Sequence, residues 1–157
     1  MSEFHLRQAT LEDLELLVKL RIDFFQELEL SEGESAHILA QRTRDYFLRK
    51  MQTNELHTWF VLDENKIVAV GSLLINEMPP TLGCYGGGVE GYLFNVYTLP
   101  EYRKHGLATL LTKHLLQEAE NQKCARVWLT HSGEKAQRIY AKLNFQLRDD
   151  VMDLFID

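Results

Sequence analysis

The stretch Leu99-Pro100-Glu101-Tyr102-Arg103-Lys104-His105-Gly106-Leu107-Ala108 carries the strongest chemical signal in the chain. It lies between a strand-like run and an amphipathic helical one. A turn in that position aims free backbone N–H groups and the positive end of a helix dipole at one point, and a phosphate or pyrophosphate suits such a point. Gly106 permits positive φ and close approach to the backbone, and small Ala108 keeps bulk away. Arg103 and Lys104 add charge. The simpler reading of the same residues is a strand-to-helix turn that needs a glycine, and spacing alone leaves both open. Neither G-x-x-x-x-G-K-[ST] nor G-x-G-x-x-G occurs, so this is neither a Walker loop nor a dinucleotide fingerprint. His5, His37, His57, His105 and His114 show no paired ligand spacing, so no metal site is expected. Cys84 and Cys124 are far apart and outside any C-x-x-C pattern, which predicts two thiols in a reducing compartment.

These residues need a scaffold, and the composition bounds it. With 157 residues, 45% hydrophobic and 10% aromatic, the chain is expected to form one domain over residues 1–157 with a continuous core. The formal charge of -6, with scattered Lys and Arg, argues against a nucleic-acid partner. No basic start precedes an apolar run, and no stretch approaches the ~18 apolar residues of a membrane span. A cytoplasmic protein without a membrane partner is the expectation.

The elements follow from periodicity. Thr10 and Asp13 form a capping-box pattern ahead of Leu11, Leu14, Leu17, Val18, Ile22, Phe25 and Leu28, which share a helical face. A more polar helix is predicted over 35–51. Residues 58–62 and 67–75 read as a β-hairpin about the turn 63–66. The segment 78–91, with its prolines and glycines, reads as a long loop. A strand over 92–98, a helix over 107–121 and a strand over 125–130 make a βαβ unit with parallel strands. A helix over 134–143 and strands over 145–147 and 151–156 complete a mixed α/β (α+β) fold. Its sheet is expected to be mostly antiparallel and twisted, of about six to seven strands, with helices on both faces.

In this context Asn95–Ala108, NVYTLPEYRKHGLA, resembles the acetyl-coenzyme A motif of the GNAT acetyltransferase superfamily. There a proline-glutamate-tyrosine turn leads into [Q/R]-x-x-G-x-[G/A]. Residues 10–21 are similar to the family's first helix, and residues 136–145, AQRIYAKLNF, to its late A-x-x-x-Y-x-K-L-G-F signature. The resemblance implies that backbone groups of Val96, Tyr97 and Thr98 pair with the pantetheine arm of acetyl-CoA. Amides of Arg103, Lys104, His105, Gly106, Leu107 and Ala108 would hold the pyrophosphate. A strand N–H near Val96 would donate to the thioester carbonyl. The Tyr97 ring reads equally as a cross-strand aromatic. Tyr140 would protonate the departing thiolate, although Ala136, Ile139, Tyr140 and Leu143 share one helical face, as in a core. Asn144 replaces the usual glycine, and asparagine also accepts the left-handed cap. Gly133 stands where many relatives have asparagine; Ser132 beside it is expected to cap the helix from Glu134 or to contact the cofactor.

The implied activity is acetyl transfer from acetyl-CoA to a primary amine of a small molecule or peptide, by direct attack in a ternary complex. The alternative is a non-catalytic acyl-CoA-binding or sensing module. An amine must lose a proton before attack, and Glu90, His131 or a water relay are candidates for receiving it. Glu27, Glu29, Glu32 and Glu34 suit a cationic acceptor such as a polyamine, aminoglycoside or peptide N-terminus, and equally a solvated acidic turn. A homodimer is compatible with the resemblance.

Overall fold

Strand β1 (Phe4–Gln8) starts the sheet, followed by β2 (Leu56–Asp63), β3 (Lys66–Glu77), β4 (Val89–Thr98) and β5 (Arg126–Trp128). The computed structural model describes residues 3–29, 33–80, 82 and 88–156. Ser31, Glu32 and, within the expected glycine-rich loop, residues 81 and 83–87 with Cys84 therefore lie outside the described residues. The spatial order is β1-β2-β3-β4-β5, antiparallel up to β4 and parallel between β4 and β5. Near-continuous apolar character in β2 and β3 reflects helices on both faces.

Helices α1 (Leu14–Glu27) and α2 (Gly33–Gln52) cover one face, where Leu17, Leu20 and Phe47 pack on Phe60, Val70 and Tyr97. On the other face, α3 (Leu107–Asn121) sets Leu107, Leu111 and Leu115 against Val61, Val68, Leu73 and Leu93. Each buried leucine or phenylalanine contributes about 1.5–3 kcal/mol relative to exposure, so these two seams hold the layers together. Helix α4 (Glu134–Ala141) lies beside α3. Among the described residues no helix is long and apolar enough to cross a membrane.

The carboxylate half of the expected capping box forms: Thr10 N–H donates to Asp13 Oδ2 at 2.8 Å, and Arg7 clamps the same carboxylate at 2.9 and 3.0 Å. The first helical turn is a 3-10 helix (Leu11–Asp13) that Asp13 ends before α1 takes over. Asn144 adopts φ 68° after α4, as the glycine replacement requires.

Two sequence expectations need correction. Strand β4 begins at Val89, where the loop was expected to reach Gly91, because Val89, Glu90 and Gly91 pair with Glu77, Asn76 and Ile75. Glu90 therefore belongs to the sheet. The sheet has five strands among the described residues, where six to seven were expected. Residues 145–147 and 151–156 have strand-forming composition but no ladder partner, and Leu147, Val151, Met152 and Phe155 are exposed. Strand propensity without a packed face does not hold an edge strand in place.

Candidate functional site

A fork in the sheet organises the site. β4 follows β3 along its length, but it pairs with β5 only through Glu90–Arg126, Gly91–Val127 and Tyr92–Trp128. Beyond Tyr92 the two parallel strands separate, so the β4 edge from Leu93 to Thr98 has no strand beside it among the described residues. A β-bulge lies within this stretch. Phe94 is opposite Ser72 and Tyr97 opposite Val70, leaving Asn95 and Val96 against one residue of β3. Asn95 takes φ 55°, a left-handed conformation that asparagine tolerates. It is 5% exposed, and neither polar atom of its carboxamide has a partner among the described residues.

The bulge decides which side chains face which way. Before it, Leu93 packs toward α3 while Tyr92 and Phe94 join the α1 and α2 side. After it, Val96 packs toward α3 and Tyr97 turns beneath α1, its ring 5.5 Å from Phe24. Tyr97 is thus a core aromatic under a helix, and burial, with the neighbouring Glu27 carboxylate, raises its phenol above the usual range.

The β4 edge runs directly into the turn. Leu99 N–H donates to Val68 O at 2.9 Å, a single 3-10 turn spans Pro100–Tyr102, and Lys104 and Gly106 both adopt positive φ, 67° and 75°. The first backbone hydrogen bond of α3 is Leu110 N–H to Gly106 O at 2.9 Å. The amides of Leu107, Ala108 and Thr109 ahead of it are free of helical partners. A Cβ built on Gly106 would meet nothing within 4 Å, so the concavity in front of these amides is open. Free amides, a helix dipole and an open concavity fit a pyrophosphate. His105 closes the turn from below through Nδ1 and Tyr102 O, 3.0 Å apart.

The side chain of Arg103 is engaged elsewhere. Its Nε donates to Thr98 O at 3.1 Å, and its two terminal nitrogens reach Glu27 at 2.6 and 2.7 Å. This hydrogen-bonded pair holds Glu27 below the usual carboxylate range and ties the end of α1 to the turn. Glu27 is therefore not a free acidic group; Glu29 and Glu34 are exposed, and Glu32 lies outside the described residues.

On the α3 side of the fork, Tyr140 of α4 packs with Phe145 (ring centroids 5.7 Å apart) in the same cluster as Leu93, Val96 and Leu115. The core contact that its helical face implies is made, in a cluster that includes Val96 of the bulge. Burial pushes its phenol up to about 12, so it is protonated at neutral pH. The expected Ser132 cap does not form. Gly133, at φ 145°, is the N-cap residue and has no side-chain bond to offer, while its N–H donates to His131 Nδ1 at 3.3 Å. Ser132 is exposed, and the extended glycine places it one residue too early to cap.

The opposite face of the fork is built from side chains. Tyr92 stacks on Phe94, centroids 5.2 Å apart and 3° from parallel, and on Trp128 at 4.4 Å. Glu90, 4% exposed, continues this face and accepts from Arg126 Nη2 at 2.9 Å through Oε2. Arg21 of α1 lies over Phe25 and Phe94 at 4.6 and 5.3 Å. Sequence reasoning missed Tyr92, Phe94, Trp128, Arg126 and Arg21 as site residues. One signal was available: Arg21 falls four residues from both Leu17 and Phe25, on the apolar stripe of α1.

Comparison with known proteins agrees with this geometry. Residues 15–145 match the family model described as Acetyltransferase (GNAT) family. A predicted acetyltransferase from Clostridium acetobutylicum, solved with acetyl-CoA, is similar at 26% identity and a TM-score of 0.88, over 98% of this chain and 96% of that one. A GCN5-related N-acetyltransferase from Ralstonia eutropha JMP134 shares the fold at 22% identity and a TM-score of 0.87, over 98% and 99%.

Proposed function

The chain belongs to the acetyltransferase (GNAT) family, and on that premise we propose that it transfers an acetyl group from acetyl-CoA to a primary amine of a small molecule or peptide, by direct attack in a ternary complex. The observation that carries this reading is the continuity of the open β4 edge with the free amides of the turn. A long ligand with an amide-bearing arm and a pyrophosphate meets both in one pass. Bound there, acetyl-CoA supplies an acetyl thioester.

The residues divide the work. Main-chain groups of Val96, Tyr97 and Thr98 pair with the arm. The amides of Lys104 to Ala108 hold the pyrophosphate, with Arg103 bracing the turn through Glu27 rather than reaching into it. The buried bulge gives the N–H near Val96 a fixed direction, so it can polarise the thioester carbonyl without rearranging. Glu90 has Oε1 left over from its bond to Arg126 and receives the proton of the incoming amine, directly or through water. The amine nitrogen bonds to the acetyl carbon, the carbon–sulfur bond breaks, and Tyr140 gives its proton to the departing sulfur. A phenol with a pKa of about 12 holds that proton until a thiolate forms. Ser132 at the mouth is free to touch the cofactor, since it caps nothing. The same reading takes residues 1–157 as one cytoplasmic domain, with a homodimer compatible.

Release of free CoA across a panel of primary amines tests the proposal. Amine-dependent release supports it. Tight acetyl-CoA binding with no release on any amine supports the sensing module instead.

A further inference from the structure

A cavity of about 180 Å³ lies between α1, α2 and β4, lined by Arg21, Arg42, Thr43, Tyr46, Phe47 and Phe94. Two of its six walls are cationic, two others carry hydroxyl groups, and none is acidic. This is unusual in a chain with net charge -6. Arg7, Arg44, Arg103, Arg126, Arg138 and Arg148 each have a carboxylate within 4 Å. Arg21, Arg42 and Arg49 have none among the described residues, and two of these three line the cavity.

Arg21 is the inner of the two. Its guanidinium lies over Phe25 and Phe94, and such stacking occupies the flat faces while leaving the N–H donors along the edge available. Burial without a carboxylate partner holds it below the ordinary arginine range, yet a guanidinium keeps its charge at any physiological pH. A half-buried, unpaired charge at the end of an aromatic shelf is costly to maintain, and an anionic ligand relieves that cost. Phe94 immediately precedes the bulge residues Asn95 and Val96. The cavity is thus adjacent to the place where the amine must meet the thioester.

We infer that the acyl acceptor is an amine that also carries an anionic group, a carboxylate or a phosphate a few bonds from the nitrogen, and that Arg21 with Arg42 at the rim binds that group. This rests on the acetyl-transfer reading above and names the substrate class of the same site. It departs from the cationic-acceptor reading of the acidic residues near Glu27: Glu27 is already paired with Arg103, and the wall of the cavity is positive.

The test uses acceptors paired so that one group differs: β-alanine with β-alaninamide for the carboxylate arm, and 2-aminoethyl phosphate with ethanolamine for the phosphate arm. CoA release should favour one anionic member over its neutral twin by on the order of ten- to a hundredfold in kcat/KM, as expected for a charge-assisted bidentate contact. Arg21→Met should lower kcat/KM for the anionic member, through KM, far more than for its neutral twin, and Arg21→Lys should keep part of the preference. Equal use of both members, or an equal loss on both with Arg21→Met, overturns the inference while acetyl transfer stands. If no amine turns over, CoA-saturated protein is titrated calorimetrically with inorganic phosphate and with acetate. Binding that Arg21→Met abolishes upholds the anion site and assigns the failure to the transfer reading; no binding overturns the site.

Discussion

The two sides of the fork are built from different kinds of group. Toward α3 the open edge of β4 and the turn that follows present main-chain N–H and C=O groups, with Gly106 and Lys104 in left-handed conformations to aim them. Toward α1 and α2 the surface is made of side chains from separate elements: Arg21, Phe94, Tyr92, Trp128 and Glu90. Backbone recognition depends on conformation and tolerates most side chains. Side-chain recognition depends on identity and so can be retuned residue by residue on a constant scaffold. A common cofactor on one side and a private acceptor on the other is the division this arrangement suits.

The largest effect expected is at the exception, the one side chain on the backbone-built side to which chemistry is assigned. Tyr140→Phe removes a hydroxyl and little else, and kcat should fall by about a hundredfold or more while the Kd for acetyl-CoA stays within about twofold. Rapid-quench turnover and calorimetry together separate the two. Since burial holds the wild-type phenol at about 12, its ionisation should produce no alkaline loss of rate below about pH 10. Unchanged turnover in the variant would remove Tyr140 from the mechanism and make that side purely a matter of backbone.

Next comes the backbone itself. Gly106→Val places a β-branched residue at φ 75°, at a strain of ~1–2 kcal/mol, and puts methyl groups into the open concavity. Acetyl-CoA binding should weaken roughly ten- to a hundredfold, with a thermal melt distinguishing this from global unfolding. A smaller effect should follow from cutting the link between the two sides. Glu27→Gln leaves Arg103 without its partner, and a part-exposed ion pair of this kind contributes ~1 kcal/mol at most. Acetyl-CoA affinity and acceptor KM should both change by about threefold or less, and together; a change in only one would show that α1 and the turn are not mechanically joined.

The smallest catalytic effect belongs to the base of α1. Arg7 and Thr10 hold the Asp13 carboxylate below the usual range, with the Arg7 hydrogen bond the largest cause. A depressed folded-state pKa stabilises the protein above the unfolded-state value, and that contribution is lost as pH falls through the folded-state one. Asp13→Asn gives up the charge that Arg7 clamps and should cost about 1 kcal/mol at neutral pH, as a part-exposed ion pair does. The difference from wild type in melting temperature should shrink in acid, and the Kd for acetyl-CoA should not change.

The same division governs what could be read from the sequence. The turn from Pro100 to Ala108 is legible because its signal is local: a glycine, a basic pair and the start of a periodic helix within ten residues. Helix α3 is legible to the residue for the same reason. The fork is not, because the point at which β5 leaves β4 is set by pairing between residues 36 apart in sequence, such as Glu90 and Arg126. The shelf is less legible still. Arg21, Phe94 and Trp128 come from a helix and two strands, and only the odd placement of Arg21 on an apolar stripe hints at it. The tail beyond Phe145 reads as strand because composition reports propensity, while a strand also needs a face to pack against.

The three-residue pairing of β4 with β5 has a thermodynamic side. A sheet whose β4–β5 pairing stops at Tyr92 leaves N–H and C=O groups with no ladder partner among the described residues. Any ligand that supplies that partner becomes part of the folding equilibrium. A ligand present at a hundred times its Kd adds ~2.7 kcal/mol to the stability of the state that binds it. The melting temperature of this protein should therefore be a property of the protein and its ligand concentration together, and a thermal melt is a direct way to learn how full the fork is.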